Sequence, residues 1–160
     1  MPFQRKKTGA GKPIDPKTAQ DRMERFCAFR ERSPKEVRQK IAELGLKGEE
    51  ADTLFDYLQE ERFFNEERFA FAFAGGKFRG NHWGRIRIRM ELQHTHGIRK
   101  SLIETVLEAL PEAEYRATLL RLLQKKRAQL APDDPNARQK TAASAIRAGF
   151  EPELVFDFLD

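Results

Sequence analysis

Three glycines, each followed by an apolar residue, recur at an interval of 52 residues: Gly45-Leu46, Gly97-Ile98 and Gly149-Phe150. Apolar positions keep step with them. Six residues after each glycine stand Ala51, Ile103 and Val155; nine after, Leu54, Val106 and Phe158; ten after, Phe55, Leu107 and Leu159. These offsets share one helical face, and Leu58 and Leu110, thirteen after the first two glycines, extend it. A period of this length is the signature of stacked supersecondary units, each too small to bury its own apolar face. The glycines are placed to end helices in the left-handed conformation that a side chain disfavours.

Start signals divide the copies further. Asp15-Pro16 begins a helix, Ser33-Pro34-Lys35-Glu36 is a capping box with proline at the first helical position, and Asn65-Glu66-Glu67, Pro111-Glu112 and Asp134-Pro135 open others. No segment alternates as a strand. The pattern predicts nine helices in three groups: 16–31, 34–44 and 48–60; 66–78, 85–95 and 99–110; 112–130, 135–148 and 152–159. The expected fold is all-α, three tandem three-helix repeats stacked into a curved, elongated array, with repeats at 16–64, 65–110 and 111–160 behind an arm at 1–15.

The middle copy should be apolar on two sides. Phe69 and Phe73 share one face of its first helix, while Phe64, Phe71 and Phe78, seven apart, lie nearly opposite. On the next helix Ile88 and Leu92 form one stripe and Ile86 and Met90 another, where a partner has room to bind. Leu92 lies five residues before Gly97, whereas Ile41 and Ala145 lie four before Gly45 and Gly149. The extra residue falls within Gln93-His94-Thr95-His96 and predicts a bulged helix end.

Charge changes the picture from a scaffold to a binder. The 160 residues are 34% charged and 39% hydrophobic, with a formal net charge of +5. That excess is focused. Arg5, Lys6, Lys7 and Lys12 stand in the first 13 residues with no acid, giving a basic arm expected to be disordered. Lys77, Arg79, Arg85, Arg87, Arg89, Arg99 and Lys100 stand between positions 77 and 100 against one acid, Glu91. A focused basic stretch attracts a polyanion or an acidic protein surface. Arg85 and Arg89 share a face; Arg87 sits on another, within reach of Glu91. Trp83 suits either an exposed anchor or a bridge between core helices.

Enzyme chemistry finds little support. His82, His94 and His96 lack the spacing and companions of a metal shell, so no metal is expected. Gly75-Gly76-Lys77 lacks the strand and the Ser/Thr of a phosphate loop and reads as a helix end. No catalytic residue and no cofactor are expected. The single cysteine, Cys27, fits a reducing compartment, and with no secretory signal and no apolar run of about 18 residues the protein is expected in the cytoplasm, away from membranes.

The middle copy resembles the RecX family of bacterial recombinase regulators. The likeness rests on Asn65-Glu66-Glu67-Arg68-Phe69-Ala70, on Trp83-Gly84-Arg85-Ile86-Arg87-Ile88-Arg89-Met90-Glu91-Leu92 and on Gly97-Ile98, with Asn65 standing where the family usually has an acid. The flanking copies are similar through Ser33 to Arg38 with Gly45, through Glu114-Tyr115-Arg116-Ala117 and the helix from Leu119 to Lys126, and through Arg147 to Phe150. The resemblance implies tandem three-helix repeats that bind the RecA recombinase filament and restrain its ATPase and strand exchange. The expected contacts are Lys77, Arg79, Trp83, Arg85, Arg87, Arg89, Arg99 and Lys100, on a monomer that binds single- or double-stranded DNA weakly by itself. The alternative is a helical module acting on bare DNA through phosphate contacts.

Overall fold

The computed structural model describes residues 14–160, and the sequence features assigned to residues 1–13 lie outside them. Nine α-helices form among the described residues: α1 (Pro16–Phe29), α2 (Pro34–Glu43), α3 (Gly48–Glu60), α4 (Glu66–Asn81), α5 (Arg85–Met90), α6 (Lys100–Glu108), α7 (Glu112–Gln129), α8 (Ala137–Arg147) and α9 (Pro152–Leu159). Helix α5 runs directly into a π-helical turn, Glu91–Thr95.

The expected caps close these helices. Asp15 accepts the Thr18 N–H through its side chain, and Ser33 and Glu36 complete a reciprocal capping box before α2. Gly45, Gly97 and Gly149 have φ of 96°, 63° and 103°, the left-handed conformation their position demands. After α8 the Phe150 N–H returns to the Ala145 carbonyl at 3.1 Å and the Gly149 N–H to Ile146 at 3.0 Å, satisfying carbonyls the helix end would leave open.

Two sequence expectations are corrected. The Gly75-Gly76-Lys77 run does not end a helix: α4 continues to Asn81, because Ala74 and Phe78 on either side are both buried and hold the backbone helical. Asp134-Pro135 does not open α8, which begins two residues later. The Asp134 carboxylate instead takes the Asn136 N–H at 2.8 Å and pairs with Lys140 at 2.7 Å, forming the turn ahead of the helix.

The chain forms two compact units, one ending at Asn65 and the other beginning at Glu66. In the first, Met23, Val37, Ile41, Leu54, Leu58 and Phe64 form the core of α1–α3, with Phe64 against Phe55 at 5.0 Å. In the second, α4–α9 share one core: Phe69, Phe78, Ile88, Leu92, Ile103, Tyr115, Leu119, Phe150 and Val155 belong to a single cluster. The middle and last helix groups are therefore one folding unit. The faces read from the sequence separate accordingly: Ile88 and Leu92 are fully buried, Met90 is 55% exposed, and Phe71, unlike Phe64 and Phe78, is 44% exposed.

The weld between those groups is made by backbone. The Gly84 N–H bonds the Ala148 carbonyl at 2.8 Å and the Ile86 N–H bonds the Gly149 carbonyl at 2.9 Å. A Cβ on Gly84 would lie 2.3 Å from the Gly149 carbonyl carbon, and one on Gly149 would lie 2.4 Å from the Arg87 Cβ. Both positions are closed to side chains. Gly76, in contrast, has open space around its missing Cβ.

Gly84→Ala and Gly149→Ala should each destabilise the second unit by about 2–4 kcal/mol, from overpacking and, at Gly149, a forced left-handed residue. Gly76→Ala should stabilise by about 0.5–1 kcal/mol. Urea unfolding followed by circular dichroism checks both signs.

Candidate nucleic-acid interface

Helix α5 starts at the weld, so its arginines are aimed by the backbone contacts just described. Arg85 enters a cage. Its guanidinium lies 3.7 Å over the Tyr115 ring, pairs with Glu112, and reaches Glu151 at 3.3 Å. The Tyr115 hydroxyl accepts the Arg85 backbone N–H at 3.1 Å and donates to Glu151 at 2.7 Å. Burial of the Tyr115 ring, with the Glu151 carboxylate accepting its hydrogen bond, pushes the phenol well above its usual range, so it stays a donor. Only a fifth of the Arg85 side chain is exposed.

Other members of the basic stretch are likewise neutralised. Arg89 makes a two-pronged pair with Glu104 at 2.8 and 3.3 Å, Arg79 faces Glu114 at 3.2 Å, and Arg99 reaches Glu67 at 3.5 Å. Glu91 bonds Thr95 at 3.0 Å rather than Arg87. That expected pair is absent although the Glu91 N–H keeps its α-helical bond to the Arg87 carbonyl, because the Arg87 guanidinium turns to the Trp83 indole instead. The hydrogen bond from Arg89 holds the Glu104 carboxyl below its ordinary value, and bonds from Arg116 and Arg85 do the same for Glu112.

Arg87 remains. Its guanidinium lies over the Trp83 indole, 4.0 Å from the ring centroid, and Lys77 stands 4.9 Å from the same ring. Trp83 is half-buried against the core and meets Phe73 edge-on at 6.5 Å, so it is both core bridge and platform. Lys100 is exposed in the first turn of α6.

Beside this platform opens a cleft of about 320 Å³, bordered by His82, Trp83 and Arg87 from the middle group and by Thr118, Arg121 and Lys125 from α7. Arg87, Arg121 and Lys125 are exposed, and among the described residues no carboxylate pairs with any of them. Arg121 is steadied by a 3.3 Å bond to the Thr118 hydroxyl. His82 lines the cleft in a left-handed conformation, φ 57°. The sequence reading passed over Arg121 and Lys125; their spacing of four, with Thr118 three before Arg121, is the signal that places all three on one face of α7. His96 goes elsewhere, packing against Phe69 at 4.8 Å and Phe73 at 5.0 Å. Among the described residues no cluster of three or more His, Cys, Asp or Glu is arranged to hold a metal, and no helix is long and apolar enough to cross a membrane.

The family models for the RecX second and third three-helix domains match residues 65–107 and 113–159. The chain belongs to the RecX family. It is 34% identical over 131 residues to the regulatory protein RecX of Pasteurella multocida, covering 80% of this chain and 77% of that one. To the RecX protein of Herbaspirillum seropedicae it is 29% identical over 140 residues, 86% of each chain. The RecX crystal structure from Lactobacillus salivarius superposes with a TM-score of 0.80 at 16% identity, over 90% of this chain and 94% of that one, which shows the shared fold. The boundaries of the two matched RecX domains fall on either side of the weld partners α4–α6 and α7–α9, so the cleft joins two RecX domains.

The lowered carboxyls set a pH dependence. Their folded values lie below the ordinary 4.5, so the stability they contribute is complete above about that pH and is lost as pH falls through the depressed values. The thermal midpoint should hold from pH 7 to near 5.5 and drop below 4.5, and Glu112→Gln should make that drop shallower. Tyr115→Phe should cost about 1–2 kcal/mol at neutral pH, because the Arg85 N–H and Glu151 lose their shared partner.

Proposed function

We propose that this RecX-family protein binds the RecA recombinase nucleoprotein filament and restrains its ATPase and strand exchange, and so regulates DNA recombination and repair. It acts as a cytoplasmic monomer without a cofactor or chemistry of its own. The observation that carries this reading is the partition of charge in the second unit. Most of the nominated arginines are paired to carboxylates of neighbouring helices, yet Arg87, Arg121 and Lys125 are left uncompensated around one cleft. Unpaired cations converging from two domains of a regulatory family suit a polyanionic assembly.

A module that reads bare duplex through a projecting helix is less well supported. Helix α6, the last of the middle group, has Glu104 tied to Arg89, and the basic groups line a recess rather than a protruding face.

The test is DNA-dependent ATP hydrolysis by the recombinase of the same organism. Wild-type protein should slow it. Arg87→Gln/Arg121→Gln/Lys125→Gln should need at least about tenfold more protein for the same inhibition, from the loss of three charge contacts. Arg79→Gln/Arg99→Gln, which removes paired arginines, should inhibit like wild type. No effect of the wild-type protein would overturn the reading.

A further inference from the structure

A nucleoprotein filament offers two sources of negative charge, acidic side chains of its protein and phosphates of its DNA. We infer that the recess between Trp83, Arg87, Arg121 and Lys125 seats one nucleotide unit of a single nucleic-acid strand, the phosphate among the three cations and the base against the Arg87 guanidinium. The inference deepens the function proposed above and rests on it, since filament binding by protein contacts alone would leave this recess empty.

The chemistry favours a phosphate. Carboxylates elsewhere in this unit are already engaged by other arginines, as Glu104 is by two bonds from Arg89. Arg87, Arg121 and Lys125 border one small recess without a carboxylate partner, which suits an anion that the ligand brings, and the repeated charged oxygens of a nucleic-acid strand are of the kind guanidinium groups bind. Arg121 and Lys125 are like charges four apart on α7, an arrangement that destabilises a helix slightly unless an anion lies between them.

The shape favours a single strand. A recess of about 320 Å³ sits at the small end of ligand pockets and admits a splayed nucleotide, whereas the phosphates of a duplex lie on a broad convex surface that reaches its rim. Proteins that hold single strands combine a basic groove with planar groups on which bases stack. Arg87, lying over the Trp83 indole with Lys77 nearby, continues such a stack outward from the core.

The experiment measures binding of fluorescein-labelled oligothymidylate to the full chain by anisotropy across a salt series, with a duplex of equal length, ATP and thymidine monophosphate as competitors. Arg121→Gln/Lys125→Gln should weaken oligothymidylate binding about tenfold and lower the slope of log affinity against log salt by about 1.4, the value for two lost contacts to a single strand. Arg79→Gln/Arg99→Gln should leave the slope unchanged. Arg87→Lys keeps the charge and loses the plane, so it should weaken binding about three- to fivefold at constant slope. This second variant serves if the double exchange unsettles α7, which the thermal midpoint reports.

An unchanged slope in the double variant overturns the seat, and an unchanged affinity in Arg87→Lys overturns the stack. Displacement by millimolar ATP or thymidine monophosphate would make it a pocket for free nucleotides, and equal affinity for duplex with the same dependence on the cleft would overturn the single-strand assignment. Wild-type inhibition of the recombinase together with any of these results would refute the seat while leaving filament regulation standing.

Discussion

Where the middle and last helix groups meet, two backbones approach so closely that neither side can carry a Cβ, and the position of α5 follows from that approach. Gly84 and Gly149 permit it, and two N–H groups that a helix start leaves without intrahelical partners are satisfied by the Ala148 and Gly149 carbonyls at the end of α8. Each terminus thus caps the other. Because α5 begins at this contact, its first arginine is delivered into the Tyr115, Glu112 and Glu151 cage, while the second emerges beside the α8 terminus and folds back over Trp83. A shared core then forms around the weld rather than one core per repeat.

The same placement sorts the charge. A formal excess of +5 describes the whole chain poorly, since the arginines facing α6, α7 and the start of α9 meet carboxylates there and contribute no field beyond their pairs. Exposed pairs of this kind add little stability each, so their larger effect is to fix orientation and silence charge. What remains is local: a few cations around one recess, with Arg87 standing 34 residues before Arg121 in sequence. The binding character of the molecule is therefore a property of tertiary arrangement.

That is also why the sequence revealed the fold more fully than the site. Caps such as Ser33 with Glu36 and the left-handed glycines are local chemistry, and period-matched apolar columns such as Leu54, Val106 and Phe158 are one-dimensional signals, so the helices and their grouping in threes were legible in the chain itself. The continuation of α4 through Gly75 and Gly76 was not, because it depends on burial of Ala74 and Phe78 against helices far along the chain. Arg85 and Arg89 looked like a binding face because their sequence neighbours are basic; their partners Glu112, Glu151 and Glu104 come from other helices. Arg121 and Lys125 lay outside the basic stretch that drew attention, and nothing short of the fold brings them beside Arg87.

The π turn after α5 shows how a repeat tolerates an unequal length. In an α-helix one added residue rotates everything beyond it by about 100°, which would throw either Leu92 or the capping glycine off its column. Here the surplus is absorbed by widening a single turn: the His96 N–H reaches back five residues to Glu91 at 3.2 Å, and the Ile98 N–H reaches Leu92 at 2.9 Å. The phase slip is thereby confined to Glu91–Thr95. Leu92 keeps the core column of Ile41 and Ala145, and His96 keeps the packed column that Leu44 and Ala148 occupy before their own glycines. An alignment of the three copies without a gap would misplace one of those columns, although the fold preserves both.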